Sequence, residues 1–246
     1  MDRKTRHDLK QDEFRDTLEL FQDYLKKHYK EIVNTAAVVV GVLALVLGFK
    51  YYTDRQDTAA NADLGAALAT FRAPVGEPSP DQPTGPTYTT AQEKYKKALQ
   101  QFDAIVSKYK MPPKPKAASL ALYQAGVCQA LLGDQSGAIQ TLTAAATEHD
   151  EDVSSMAKFA LAGEMAKAGK TAEAVKLYQE LSDHPTLTVP KATAMLAMAD
   201  TFSSSDPAKA RQIYDQVGKE FASNPAVVQA VRQQVANLAP APASKQ

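Results

Sequence analysis

Two hydrophobic patterns with different periods open the chain. Phe14, Leu18, Phe21 and Leu25 recur at i, i+4, i+7 and i+11, with charged residues between them. That spacing predicts an amphipathic helix, either a surface that meets a partner or a membrane face, or a weakly ordered lead-in. Residues 32–49, IVNTAAVVVGVLALVLGF, then run for eighteen positions without a charge and without a polar face. At 1.5 Å per residue this is about the length a helix needs to cross a hydrocarbon core. Lys30 and Glu31 bound it on one side; Lys50, Tyr51 and Tyr52 bound it on the other, where amphipathic rings suit a headgroup layer.

The apolar run reads as a retained anchor rather than a cleaved leader. A secretory signal has a short basic start, a shorter apolar core and a small-x-small site close behind it. Here 31 residues precede the core, and Lys-Tyr-Tyr follows it. Orientation is read from basic residues near the ends of a span. Lys26, Lys27 and Lys30 stand just before it, with Arg15, Lys10, Arg6, Lys4 and Arg3 further back, against Lys50 and Arg55 after it. The N-terminus is therefore expected in the cytosol and residues 53–246 outside. Within the span, Ala37, Gly41, Ala44 and Gly48 form one stripe of small residues. Such a stripe serves close helix packing, or reflects the general abundance of Gly and Ala in membrane helices.

Charge narrows the partners. There are 28 basic and 28 acidic side chains, and the first 31 residues carry eight of each. No basic excess marks a nucleic-acid surface, and the tail before the span is too balanced to sense anionic lipid. One cysteine, Cys128, lies in an apolar helical pattern, so no internal disulfide forms and a small buried hydrophobe is its expected role. Trp is absent and Ala is abundant, which favours closely stacked helices.

Beyond the span the sequence repeats itself. Ala138, Ala174 and Ala210 are spaced by 36, and four residues after each comes Leu142, Tyr178 or Tyr214. Before them lie Leu122 to Gly126 with Gly133-Asp134, Leu161-Ala162 with Gly169-Lys170, and Ala197-Met198 with Ser205-Asp206. This pattern resembles the tetratricopeptide repeat, a helix–turn–helix unit of about 34 residues. A small residue lets the two helices of a unit approach, and a large one a turn later fills the gap to the next unit. Gly133 and Gly169 are placed where a turn needs positive φ, whereas Asp206-Pro207 supplies an N-cap and a proline at the first helical position. The bulky aromatic of the family's first helix is replaced by Leu122, Lys158 and Ala194. A consensus peptide groove therefore does not transfer residue by residue.

A fourth unit lies upstream, with Asp63, Leu64, Gly65 and Leu68 in its first helix and Tyr95, Ala98, Phe102 and Ile105 in its second. Between them, residues 73–90 hold five prolines, which forbid a helix and predict an exposed loop or a spacer without fixed structure. MPPKPK, residues 111–116, is a stiff connector. Ala226, Val227, Val231, Val235 and Leu238 form the stripe of a capping helix, followed by a frayed tail.

Motifs for catalysis are missing: no GxSxG, HExxH, P-loop or glycine-rich nucleotide turn occurs, and His7, His28, His149 and His184 have no partners at metal-ligand spacing. The chain is expected to be no enzyme and to need no cofactor or metal. Glu148 to Asp152 is acidic but lacks the spacing of a calcium loop, and reads as a solvated turn before a helix N-terminus.

The expected fold is all-α: a single transmembrane helix followed by a right-handed tetratricopeptide-like solenoid. Its parts are a cytosolic segment 1–31, a span 32–52, a repeat domain 53–239 with the 73–90 insertion, and a disordered tail 240–246. This order of parts resembles the bacterial ancillary Sec-translocon subunit family, single-pass inner-membrane proteins with a tetratricopeptide-like periplasmic domain. The resemblance implies a protein-binding adaptor that partners Sec channel subunits, periplasmic chaperones and translocating polypeptides. Helical phase alone offers Tyr123, Gln124, Val127 and Lys158 as protein-binding residues, on the faces of first helices. The alternative is a scaffold or assembly factor of a cell-envelope complex, homo-oligomeric through the Ala37–Gly48 stripe and the repeats.

Overall fold

The computed structural model describes residues 3–76 and 87–238. Residues 77–86 of the insertion and the 240–246 tail lie outside the described residues, as do the side chains of Phe14, Leu18 and Phe21. The chain divides into two compact units, Met1–Arg55 and Gln56–Gln246, and helix α1 (Arg3–Arg72) contributes to both.

In the first unit, α1 leaves helical geometry at His28 (φ −107°, ψ 15°). There His28 Nδ1 lies 2.9 Å from Glu31 Oε2, and the Tyr24 ring stacks 4.7 Å from the imidazole. Beyond the kink come the apolar residues of the predicted span. Val38, Val40, Leu43, Leu45, Leu47 and Phe49 are all exposed. Among the described residues this is the one helix long and apolar enough to cross a membrane. Ala37, Gly41, Ala44 and Gly48 are exposed with the rest, and a Cβ added at Gly41 or Gly48 would meet nothing within 4 Å.

The second unit is a stack of helix pairs. The end of α1 pairs with α2 (Ala91–Lys108), through Ala60, Leu64 and Ala67 against Ala98, Phe102 and Ile105. Three more pairs follow: α3 (Lys116–Leu131) with α4 (Gln135–Ala145), α5 (Glu151–Lys167) with α6 (Thr171–Asp183), and α7 (Lys191–Phe202) with α8 (Pro207–Glu220). Helix α9 (Pro225–Asn237) closes the stack, burying Val231. The fold is an all-α, tetratricopeptide-like solenoid.

The small-then-large rule holds through the stack. Ala98, Ala138, Ala174 and Ala210 are wholly buried, and Phe102, Leu142, Tyr178 and Tyr214 one turn on are buried too. Turns obey local chemistry. Gly133 (φ +82°) and Gly169 (φ +77°) adopt the left-handed conformation that glycine takes without steric cost. Around each glycine the chain closes with paired backbone bonds, Asp134 N to Gln129 O and Gly133 N to Ala130 O, then Lys170 N to Met165 O and Gly169 N to Ala166 O. Where the third unit lacks glycine, Asp206 accepts from Lys209 N at 3.0 Å and Pro207 opens α8.

The neck of the insertion is pinned. Val75 and Tyr88 form an isolated bridge, with Gly76 N donating to Tyr88 O at 2.9 Å, and Lys94 Nζ donates to Ala73 O. The excursion thus leaves and re-enters the stack at one point.

Candidate functional site: a groove between successive first helices

Helices α3, α5, α7 and α9 each touch the next in that series, whereas among the described residues α4, α6 and α8 do not touch one another. The first helices therefore form a continuous layer, and the second helices wedge between them from outside.

A cavity of about 370 Å³ opens between α3 and α5. Tyr123, Val127 and Leu131 form one wall, Phe159, Gly163 and Glu164 the other, and Leu142 and Tyr178 lie at its base. The sequence explains the depth. Gly126 lets α3 sit against α4 so closely that an added Cβ would lie 2.7 Å from Leu142 Cγ. At Gly163 an added Cβ would meet the Tyr178 hydroxyl at 3.5 Å, an ordinary van der Waals distance. Phe159 meets the Tyr178 ring edge-on at 5.4 Å, which fixes both rings.

Two of the four residues picked from helical phase, Tyr123 and Val127, face each other's neighbours in this groove. Gln124, one position on from Tyr123, is half-buried outside the lining. Lys158 turns to α6, where its Nζ lies 2.6 Å from Glu180 Oε1. Two charged side chains that helical phase did not single out, Glu164 and Lys167, also line the groove. Glu164 is buried in the wall, with Lys167 Nζ 2.7 Å from its Oε1. The signal was an acid inside the otherwise apolar stretch FALAGEMA, 36 positions before Asp200.

Burial pushes the Tyr178 hydroxyl up to about 12, helped by the charges of Asp200 and Glu164. Tyr214 is also pushed up to about 12, by burial first and then by the bond its hydroxyl donates to Asp200. Both phenols stay protonated and act as donors or apolar walls. Burial, with Asp103 nearby, takes the Cys128 thiol up to about 12, so it remains a neutral core group.

The acidic turn after α4 acts as a clasp. Glu148 takes Lys114 Nζ at 2.5 Å and the Ser119 hydroxyl at 2.7 Å. Asp150 caps α5 through Val153 N and pairs with Lys116 at 2.8 Å, which holds its carboxyl below the usual range. The solvated turn expected from sequence is thus half-buried, and it ties the 111–116 connector to the next unit. No group of three or more His, Cys, Asp or Glu side chains is gathered to hold a metal among the described residues.

A family model for the tetratricopeptide repeat matches residues 120–151, which run through α3, the turn and α4 to the start of α5. No curated protein matches the chain. The matched unit supplies one wall of the groove and Leu142 at its base, so the chain carries a tetratricopeptide repeat where the cavity opens, and repeats of this kind serve protein–protein interaction.

Proposed function

We propose that this chain is a membrane-anchored protein-binding adaptor, ancillary to the Sec translocon, that helps pass translocated proteins to periplasmic chaperones. In this reading residues 32–52 hold the protein in the bacterial inner membrane with the N-terminus cytosolic, and residues 53–239 stand in the periplasm. The observation that carries it is the largely apolar groove between α3 and α5, which opens within the stretch that matches a tetratricopeptide repeat. A shallow groove with aromatic walls suits transient contact with many sequences, and tethering beside a channel raises the local concentration so that weak binding suffices. The support for the anchor is one long apolar helix near the N-terminus; the support for the partner class is the repeat match.

The test is photocrosslinking in the native membrane, with a photoreactive side chain at Gly41 in the span or at Tyr123 in the groove. Sec channel subunits captured through the span, with chaperones or emerging chains captured at the groove, are the expected products. Capture of only a second copy, or of one fixed envelope assembly, would replace this reading with the scaffold.

A further inference from the structure

The amphipathic stripe ahead of the span has no role in the adaptor reading. Helix α1 carries two stripes there, in the same spacing and two positions out of step: Phe14, Leu18, Phe21 and Leu25, and Asp12, Asp16, Glu19 and Asp23. At 3.6 residues per turn each set covers roughly 60° of the helix, and by register the two lie on opposite sides. Toward the span, rings and basic side chains gather. Tyr24 is 59% exposed and Tyr29 65%, with Lys26, Lys27 and Lys30 beside them in the chain. Such residues suit the boundary between membrane and water. Between the stripe and the span the helix breaks at His28, the residue of α1 with non-helical φ and ψ. Leu25 precedes Ile32 by seven positions, about 10 Å of helix. A straight helix would carry Phe14 roughly 27 Å past the start of the span into water, whereas a break lets the preceding helix turn along the surface.

We infer that residues 14–25 lie flat in the cytosolic face of the bilayer, with Phe14, Leu18, Phe21 and Leu25 at the boundary of headgroups and acyl chains and Asp12, Asp16, Glu19 and Asp23 turned to water. This rests on the membrane anchor of the adaptor reading. Adjacency names the occupant: the few residues between stripe and span hold the stripe at the surface of the membrane that the span crosses, so a modest apolar face suffices. Headgroup charge is not the attraction, because the 31 residues before the span carry eight basic and eight acidic side chains and the acidic stripe lies opposite the apolar one. A flat helix joined to the span fixes the span's depth and rotation, and so the side of it that meets a partner within the bilayer.

The chain has no tryptophan, so one introduced tryptophan reports its own surroundings. The test places the full chain in phosphatidylcholine nanodiscs, with acyl chains brominated near the headgroup or left unbrominated, and reads quenching by bromine. Phe14→Trp and Phe21→Trp should each lose most of their emission to bromine and be blue-shifted, while Glu19→Trp on the opposite side keeps its emission. Adding Leu18→Glu to the Phe21→Trp chain should restore the lost emission, because a carboxylate opposes burial of the stripe. Val42→Trp, in the middle of the span, judges the anchor separately. Emission from Phe14→Trp and Phe21→Trp that matches Glu19→Trp would put the stripe in water and overturn the inference. Blue-shifted emission that bromine does not quench would show a protein partner or a second copy on the stripe, and equal quenching of Glu19→Trp would show a helix immersed on all sides; both overturn it as well. With Val42→Trp quenched, each of these outcomes leaves the anchor standing. Val42→Trp untouched by bromine would sink the anchor and this inference with it.

Discussion

Gly41 and Gly126 are the same residue in two units, and their surroundings are opposite. A Cβ at Gly41 meets nothing within 4 Å, whereas one at Gly126 would overlap Leu142. The same contrast runs through the alanines and the large apolar residues. Ala138, Ala174 and Ala210 are wholly buried beneath neighbouring helices, while Val38, Leu43 and Leu47 are exposed. In the second unit the apolar side chains find each other within the chain. In the first, among the described residues, they stand exposed along a helix long and apolar enough to cross a membrane. The difference teaches that burial is a property of the surroundings: one unit makes its own apolar solvent, and the other leaves its apolar side chains exposed.

The largest break in that comparison comes from charging the span. An arginine at the centre of a membrane helix costs roughly 2.5–3.5 kcal/mol on insertion. Leu43→Arg with Leu45→Arg should move the protein out of the carbonate-resistant membrane fraction, while the repeat unit keeps its helical circular dichroism. Next in size is a break in the stack. Tyr214→Ala removes a fully buried ring that bonds Asp200, and should lower unfolding stability by about 3–5 kcal/mol in a urea titration.

A paired substitution sharpens the contrast directly. Gly126→Ala forces Leu142 to shift and should lower stability by about 1–3 kcal/mol, whereas Gly41→Ala should leave both insertion and unfolding unchanged. A smaller effect belongs to one helix cap. Asp206→Ala leaves Lys209 N without its acceptor and should reduce stability by about 1 kcal/mol, seen as a shift in the same urea midpoint.

A last effect is nil at neutral pH and appears only on alkaline titration. The folded chain keeps the Cys128 proton up to about 12, while the unfolded chain releases it in the ordinary thiol range. Stability from this group is therefore full below that range and is lost as pH climbs through it toward 12. Between about pH 9 and 11 the native protein should lose stability gradually, and Cys128→Ala should flatten that decline. The same thiol should resist a maleimide at pH 8 until urea unfolds the chain.

Much of this architecture was legible before any coordinates. The 36-residue spacing of Ala138, Ala174 and Ala210 located the helix pairs, and the residue four places on located their fillers. Gly133, Gly169 and Asp206 marked the turns, and each does there what its backbone or side chain allows. The groove was only half legible. Tyr123 and Val127 were reachable from helical phase, but Lys158, chosen by the same reasoning, is turned to Glu180. Phase says which face of a helix a residue occupies and leaves open which neighbour covers that face.

What the sequence by itself determined follows from local geometry. A helix repeats every 3.6 residues, a turn needs a residue tolerant of positive φ, and a run of eighteen uncharged residues exceeds what a soluble helix face carries. These rules act within a few residues and leave their mark in spacing. Only the tertiary structure decided that Glu164 is buried beside the Tyr123–Phe159 groove, or that Glu148 and Asp150 hold Lys114 and Lys116. Those pairings join residues that are distant along the chain, and they depend on how closely helices pack, which at the α3–α4 contact Gly126 sets through the absence of a side chain.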